Sequence, residues 1–241
     1  MTESTTPTVV LVHGAFADAA SWSGVITDLQ QHGIPVVAPP NPLRGLASDA
    51  AYVASVAAQI DGPVVLVGHS YGGAIITVAG ATENVVGLVY VAAYVLEEGE
   101  SLGELQGRFP EPPLAASLRQ AFYPVVGAEP AVELTIAPDS FPHVFAADVP
   151  GEVTKVLAVA QRPLAAQAFT ETASTAAWKT KPSWAVIAGA DQAINPDVQR
   201  FGAKRAGAAV VEVAGASHAV ALSHPKEVSD VIREAVRATS A

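Results

Sequence analysis

The chain contains no cysteine. Disulfide frameworks, thiolate metal sites and cysteine nucleophiles are therefore excluded, although a secreted protein of this size needs no disulfide. Charge is scarce: 15% of residues are charged against 50% hydrophobic, a balance that rules out a disordered chain. Basic residues are the scarcer sign, 13 against 23 acidic, giving a formal net charge of −10. Nucleic acid and anionic membrane surfaces are held by clustered Lys and Arg, so neither is an expected partner. No apolar run reaches roughly 18 residues without a Gly, Pro or polar break, so no membrane span is expected. Met1–Pro7 (MTESTTP) lacks the basic and apolar regions of a signal peptide. The expected compartment is the cytoplasm.

What is present suffices for a large core. A chain of 241 residues folds to roughly 10,000 Å² of exposed surface and buries about 70% of what it exposes when extended. One large domain is expected rather than two small ones. Short apolar runs alternate with helix-length stretches. Thr8–Val12, Ile34–Ala38, Val64–Val67, Val85–Val91, Trp184–Ile187 and Val210–Val213 read as six strands. Trp22–His32, Ser48–Ile60 (with Ser48 as N-cap), Ala74–Ala81 and Pro225–Val236 read as helices. The strands are apolar throughout rather than alternating, as in a parallel sheet covered on both faces. The order predicts a doubly wound, mostly parallel six-stranded α/β domain formed by residues 1–94 and 181–241. Residues 95–180 interrupt it and hold nine of the 18 prolines and five of the 7 phenylalanines. They read as a mostly helical cap over the C-terminal edge of the sheet.

The sharpest motif is Gly68-His69-Ser70-Tyr71-Gly72-Gly73. It fits G-x-S-x-G with a strand before and a small-residue helix after. A serine on such a strand-to-helix turn projects its hydroxyl above the sheet, and the glycines remove side chains that would collide across the turn. The Tyr71 backbone N–H then points to where an oxyanion would form, with the helix N-terminus adding positive potential. A Walker loop would need GK[ST], which is absent.

A serine hydroxyl needs a neighbouring base. Of six histidines, His218 in Gly215-Ala216-Ser217-His218 follows the sixth strand, where catalytic loops gather. His224 precedes Pro225 and belongs to the entry of the last helix. The imidazole needs an anion to fix its tautomer. Asp191 follows the fifth strand; Glu97 and Glu98, after the fourth, are its rivals. The order Ser70, Asp191, His218 is that of hydrolases. A second oxyanion donor is expected from His13-Gly14-Ala15-Phe16: the N–H of Ala15, with Phe16 as fallback and otherwise a pocket wall.

With these residues in place, VLVHGAFADAASW (Val10–Trp22) and VLVGHSYGG (Val65–Gly73) resemble the α/β-hydrolase superfamily, in particular small esterases related to plant methylesterases and hydroxynitrile lyases. The resemblance implies a six-stranded core, a cap, no cofactor and no metal. It carries Ser70, Asp191 and His218 over as a catalytic triad, with Ala15 and Tyr71 as backbone oxyanion donors. The lyase branch typically places Lys after the catalytic His and Thr in the oxyanion loop, where this chain has Ala219 and Gly14. Cofactor-free perhydrolases usually carry Met after the Ser, where this chain has Tyr71. Both departures favour ester hydrolysis of a small, partly apolar molecule, with Phe16, Phe109, Phe122, Tyr123, Phe141 and Phe145 as candidate pocket residues. The alternatives are a slowly turning-over ligand receptor on the same fold, a hydroxynitrile lyase or a perhydrolase. The oligomeric state stays open, a homodimer among the options.

Overall fold

The computed structural model describes residues 6–240. Met1–Thr5, most of the segment read as lacking a signal peptide, and Ala241 lie outside the described residues. The strands in chain order are β1 (Thr8–Val12), β2 (Val36–Val37), β3 (Val64–His69), β4 (Val85–Val91), β5 (Leu118–Tyr123), β6 (Ala131–Ile136), β7 (Leu164–Ala165), β8 (Ser183–Ala188) and β9 (Ala209–Val213). Six of them form one sheet in the order β2-β1-β3-β4-β8-β9, with every pairing parallel. The accessible surface is 10186 Å², close to that expected for this chain length.

Both faces of the sheet are covered, which is why its inner strands are apolar at every position. Val10, Val12, Val64 and Leu66 face one core, with Leu88 and Tyr90 beside them. Val9, Leu11, Val65, Val67, Val89 and Val91 face the other. This is the two-residue alternation of a strand with apolar side chains supplied to both sides. Helices α1 (Ser23–Gln31) and α9 (Pro225–Thr239) pack on the second face. The apolar stripe of α9 (Val228, Val231, Ile232, Ala235, Val236) has the spacing that burial of one helical face requires. Helices α2 (Leu46–Ala58) and α3 (Tyr71–Ala79) cover the first face.

Helix α2 differs from expectation at its start. It begins at Leu46 with Gly45 in the cap position, and Ser48 lies inside the first turn. The buried Asp49 carboxylate, rather than Ser48, accepts from the preceding N–H groups of Arg44 (3.0 Å) and Gly45 (3.4 Å).

The segment between β4 and β8 carries α4 (Leu102–Gln106), α5 (Phe141–Val144), α6 (Gly151–Val159) and several 3-10 turns. It also holds an antiparallel sheet in the order β5-β6-β7, which the mostly helical reading did not include. Backbone hydrogen bonds tie this segment to loops of the main sheet, among them Phe16 N to Arg162 O, Ala165 N to Leu43 O, Leu114 N to Gln192 O and Ala219 N to Phe145 O. Most of its buried hydrophobic residues, Phe141, Phe145 and Leu164 among them, belong to the same core as α2 and α3. After β8 come α7 (Pro196–Arg205) and, after β9, α8 (Val220–Ser223). No helix of the described residues is long and apolar enough to cross a membrane.

The tightest backbone crossing lies where α3 leaves β3. A Cβ on Gly72 would sit 2.4 Å from the Val12 carbonyl oxygen, and neither backbone can yield without moving a central strand. Gly72→Ala should therefore destabilise the protein by about 2–4 kcal/mol. Urea unfolding measures this, and a change under about 0.5 kcal/mol, the size of an ordinary surface substitution, would contradict the packing described.

Candidate active site

Ser70 stands between β3 and α3 with φ 57° and ψ −121°, a conformation that L residues rarely adopt. Surrounding contacts hold it there. Its N–H donates to Val91 O (3.1 Å), and its carbonyl accepts from Gly73 N (3.0 Å) and Tyr94 N (3.3 Å). A Cβ on Gly68 would lie 2.4 Å from Gly72 O, and one on Gly73 would lie 2.5 Å from Tyr94 O. The glycines thus permit a turn that any side chain would obstruct. Ser70 itself is 7% exposed, at the wall of a cavity that also exposes Ala15, Tyr71 and His218.

His218 and Asp191 are brought together from two loops. His218 Nδ1 lies 2.7 Å from Asp191 Oδ2, both side chains being buried. The Asp191 carboxylate is fully furnished: Oδ1 accepts from Ala193 N (2.7 Å) and Ile194 N (2.9 Å), and Oδ2 accepts a second bond from Gln199 Nε2 (2.7 Å). Gln199 is fixed in turn by Ala188 N, which donates to its Oε1 at 3.0 Å. With Oδ2 directed at Nδ1, the imidazole carries its proton there and leaves Nε2 as the lone-pair nitrogen. Glu97 is on the surface, 2.5 Å from Lys179, and Glu98 is exposed; neither approaches His218. His224 occupies the N-cap of α9.

The loop after β1 is held by His13. Its Nδ1–H donates to Gly14 O (2.9 Å) and its Nε2 accepts from Asn41 N (2.9 Å), while Asn41 Nδ2 donates to His13 O (3.0 Å). A Cβ on Gly14 would meet Ser70 Cβ at 2.7 Å, so only glycine lets this loop close on the serine. The trans peptide sets the Ala15 N–H opposite the pinned Gly14 carbonyl. Among the described residues the Ala15 N–H has no backbone acceptor, whereas Phe16 donates to Arg162 O (3.1 Å). The geometry leaves Ala15 free as a donor and engages the Phe16 fallback elsewhere. The Tyr71 N–H is in the first turn of α3, where no intrahelical acceptor exists.

Three supports had no signal in the sequence. Gln199 steadies Asp191 from α7. Asp148, 69 residues away, accepts from both the N–H and the hydroxyl of Ser217 and so clamps the His218 loop. Burial pushes the Asp148 carboxyl up, but its hydrogen bonds, those from Ser217 foremost and that from Ser223 with them, outweigh burial, so its pKa is lowered. Asp49 accepts from Tyr71 Oη (2.9 Å), and burial raises its pKa against the bonds it receives. Each joins residues distant in the chain, so no local spacing reveals them.

The candidate aromatic wall divides. Phe16 and Phe145 line the cavity with Ser70, and Phe145 packs 4.9 Å from the His218 ring. Phe141 stacks behind Phe145 at 4.8 Å. The other three do not reach it. Phe109 packs against Phe201 at 5.7 Å. Phe122 is 75% exposed. Tyr123 lies beneath the Arg44 guanidinium, 4.3 Å from ring centroid to carbon. The latter two are on β5, an exposed strand whose side chains turn away from the core.

Residues 9–231 match the model of the alpha/beta hydrolase family. The chain belongs to the alpha/beta hydrolase family. No curated protein matches it by sequence. Among solved structures it is similar to polyneuridine aldehyde esterase, with 21% identity and a TM-score of 0.81 over 95% of this chain and 99% of that one. It is similar to a pyrethroid hydrolase from Sphingobium faniae JZ-2, with 23% identity and a TM-score of 0.76 over 97% and 98%. An Arabidopsis methylesterase aligns with 18% identity and a TM-score of 0.77 over 96% and 99%.

In this alpha/beta hydrolase two further histidines are kept neutral. His69 donates from Nε2 to His218 O (2.9 Å); burial, reinforced by the nearby His218 ring, lowers its pKa from 6.5 to about 3. Burial likewise lowers that of His13. Below an unfolded pKa of about 6.5 the unfolded chain takes up protons that the folded state refuses, so stability falls with pH. From pH 6.5 to pH 5 His69 alone should remove about 2 kcal/mol, with His13 acting in the same direction. Urea unfolding at the two pH values tests this. His69→Gln should flatten the slope, and equal stability of the wild type at both would contradict burial of neutral imidazoles.

Proposed function

We propose that this protein is a serine hydrolase that cleaves carboxylic esters of small, partly apolar, uncharged molecules through an acyl-enzyme. One observation carries the reading: Ser70 on its strained turn, His218 with Asp191 hydrogen-bonded behind it, and the uncommitted N–H groups of Ala15 and Tyr71 converge on one apolar cavity, which Ser70, His218, Ala15 and Tyr71 line. Ser70 attacks the ester carbonyl while His218 Nε2 takes the hydroxyl proton. Asp191 holds the tautomer and balances the imidazolium. The Ala15 and Tyr71 N–H groups, with the α3 dipole behind Tyr71, hold the developing oxyanion. His218 returns the proton to the leaving alcohol and then activates water to release the acid. Ser70 Oγ and His218 Nε2 are not hydrogen-bonded in the free protein, and such contacts tighten when substrate binds. Residues 95–180 act as the cap that excludes water, in a cytoplasmic enzyme that needs no cofactor.

The substrate class follows from the walls. Besides the reacting groups, the cavity is lined by Leu102, Leu114, Leu164, Phe169 and Ile194, with no Lys or Arg. A carboxylate on the substrate would be buried unpaired, which is costly. The same lack of a cation disfavours a lyase, which must stabilise departing cyanide. Ala219, at the position after His218, is buried and its N–H donates to Phe145 O (3.0 Å). The likeness to polyneuridine aldehyde esterase and to a methylesterase supports this reading.

Hydrolysis of p-nitrophenyl butyrate tests it. Asp191→Asn should lower kcat by about 10³–10⁴-fold, through the wrong His218 tautomer, and keep the fold. Glu97→Gln should change little. Gln199→Leu should lower kcat by about 10-fold, the loss of one buried hydrogen bond to a carboxylate. Full activity in Asp191→Asn, or mandelonitrile cleavage as fast as ester hydrolysis, would contradict the proposal.

A further inference from the structure

A second apolar chamber adjoins the first. Its cavity volume is about 80 Å³, against about 30 Å³ in the cavity that contains Ser70. Its walls come from the loop after β1 (Ala17, Ser21), from α6 and its end (Leu157, Ala160) and from α8 (Ala221, Leu222). His69 and Ala219 are exposed to it, while Ser70 and the two N–H donors are not. Phe16 and Phe145 line both spaces, so the two chambers meet at these residues.

Both residues at this junction are held in place. Phe16 has a left-handed backbone, φ 62°, sustained by its N–H bond to Arg162 O. Strain of this kind in a non-glycine residue persists only where the surroundings enforce it, and it concentrates at ligand-handling sites. Phe145 is backed by Phe141, and its carbonyl accepts the Ala219 N–H beside His218.

We infer that the outer chamber binds the alcohol portion of the ester, so that the preferred substrates join a short acyl group to an apolar alcohol larger than methanol. This rests on the proposed ester hydrolysis. The inner cavity holds Ser70 and both oxyanion donors, so the carbonyl and acyl group belong there. The leaving oxygen must receive its proton from His218, and the chamber against Ala219–Leu222, directly after His218, opens on that side. Its walls match an alkyl or aryl group, with Asp18 and Ser21 as polar groups at its rim.

The test compares kcat/KM for benzyl butyrate and methyl butyrate. Ala160→Trp, on the exposed end of α6, narrows the chamber and should lower the benzyl-to-methyl ratio about 10-fold or more. Leu157→Ala widens it and should raise that ratio. Val156→Trp, one residue from Leu157 but lining neither space, serves as the surface control and should leave the ratio unchanged. The ratio of p-nitrophenyl hexanoate to p-nitrophenyl acetate should stay constant in all three, because acyl length is read in the inner cavity. Thermal unfolding checks that each variant is folded. An unchanged benzyl-to-methyl ratio in both chamber variants, or an acyl ratio that moves instead, overturns the inference. Absence of hydrolysis of every ester by the wild type would instead overturn the proposed function.

Discussion

The close crossing of β1, the turn after β3 and the start of α3 is the constraint on which the rest depends. Three backbones approach one another there so closely that Gly14, Gly68 and Gly72 each exclude a Cβ, while Gly73 excludes one against the chain after β4. That approach forces Ser70 into its left-handed conformation, sets the β1 loop against it and leaves the first N–H of α3 pointing outward. A sheet buried on both faces gives the crossing its rigidity, since the strands it joins cannot shift without disrupting two cores.

Polar groups around the crossing are arranged to carry charge at few positions. His13 and His69 are kept neutral by burial and used as hydrogen-bonding struts, one for the β1 loop and one for the His218 loop. The buried carboxylates of Asp49 and Asp191 are met by N–H, hydroxyl and amide donors rather than by Lys or Arg. The His218 ring is set directly against one of these carboxylates, Asp191. The segment between β4 and β8 contributes to the same end. Asp148 clamps Ser217, the Phe145 carbonyl takes the Ala219 N–H, and Arg162 engages Phe16.

Much of this was legible in the chain. The β4 strand falls at Val85–Val91 as read, because a valine-rich run opening after the polar Glu83-Asn84 pair leaves little choice. Helix α3 begins at Tyr71, three residues earlier than its apolar pattern suggested. Gly72 and Gly73 are poor helix formers, kept for clearance rather than propensity. β5 gave no alternation to read because nearly all of it is exposed, and its pairing with β6 depends on backbone bonds. The nearness of Asp191 to His218 followed from strand order, whereas Gln199, Asp148 and Asp49 act across folds of the chain that no local pattern encodes. For Phe109, Phe122 and Tyr123, an aromatic residue in the insertion was an insufficient guide, because which face of an element turns inward is settled by tertiary packing.

The central claim is that Ser70 is an activated nucleophile in a prepared pocket. The most direct measurement is covalent labelling of the folded protein with a fluorophosphonate, followed by peptide mass spectrometry. One adduct per chain should form, on Ser70, and Ser70→Ala should leave the protein folded and unlabelled. Labelling at another serine, or none of the wild type under conditions that label a known serine hydrolase, would contradict the account.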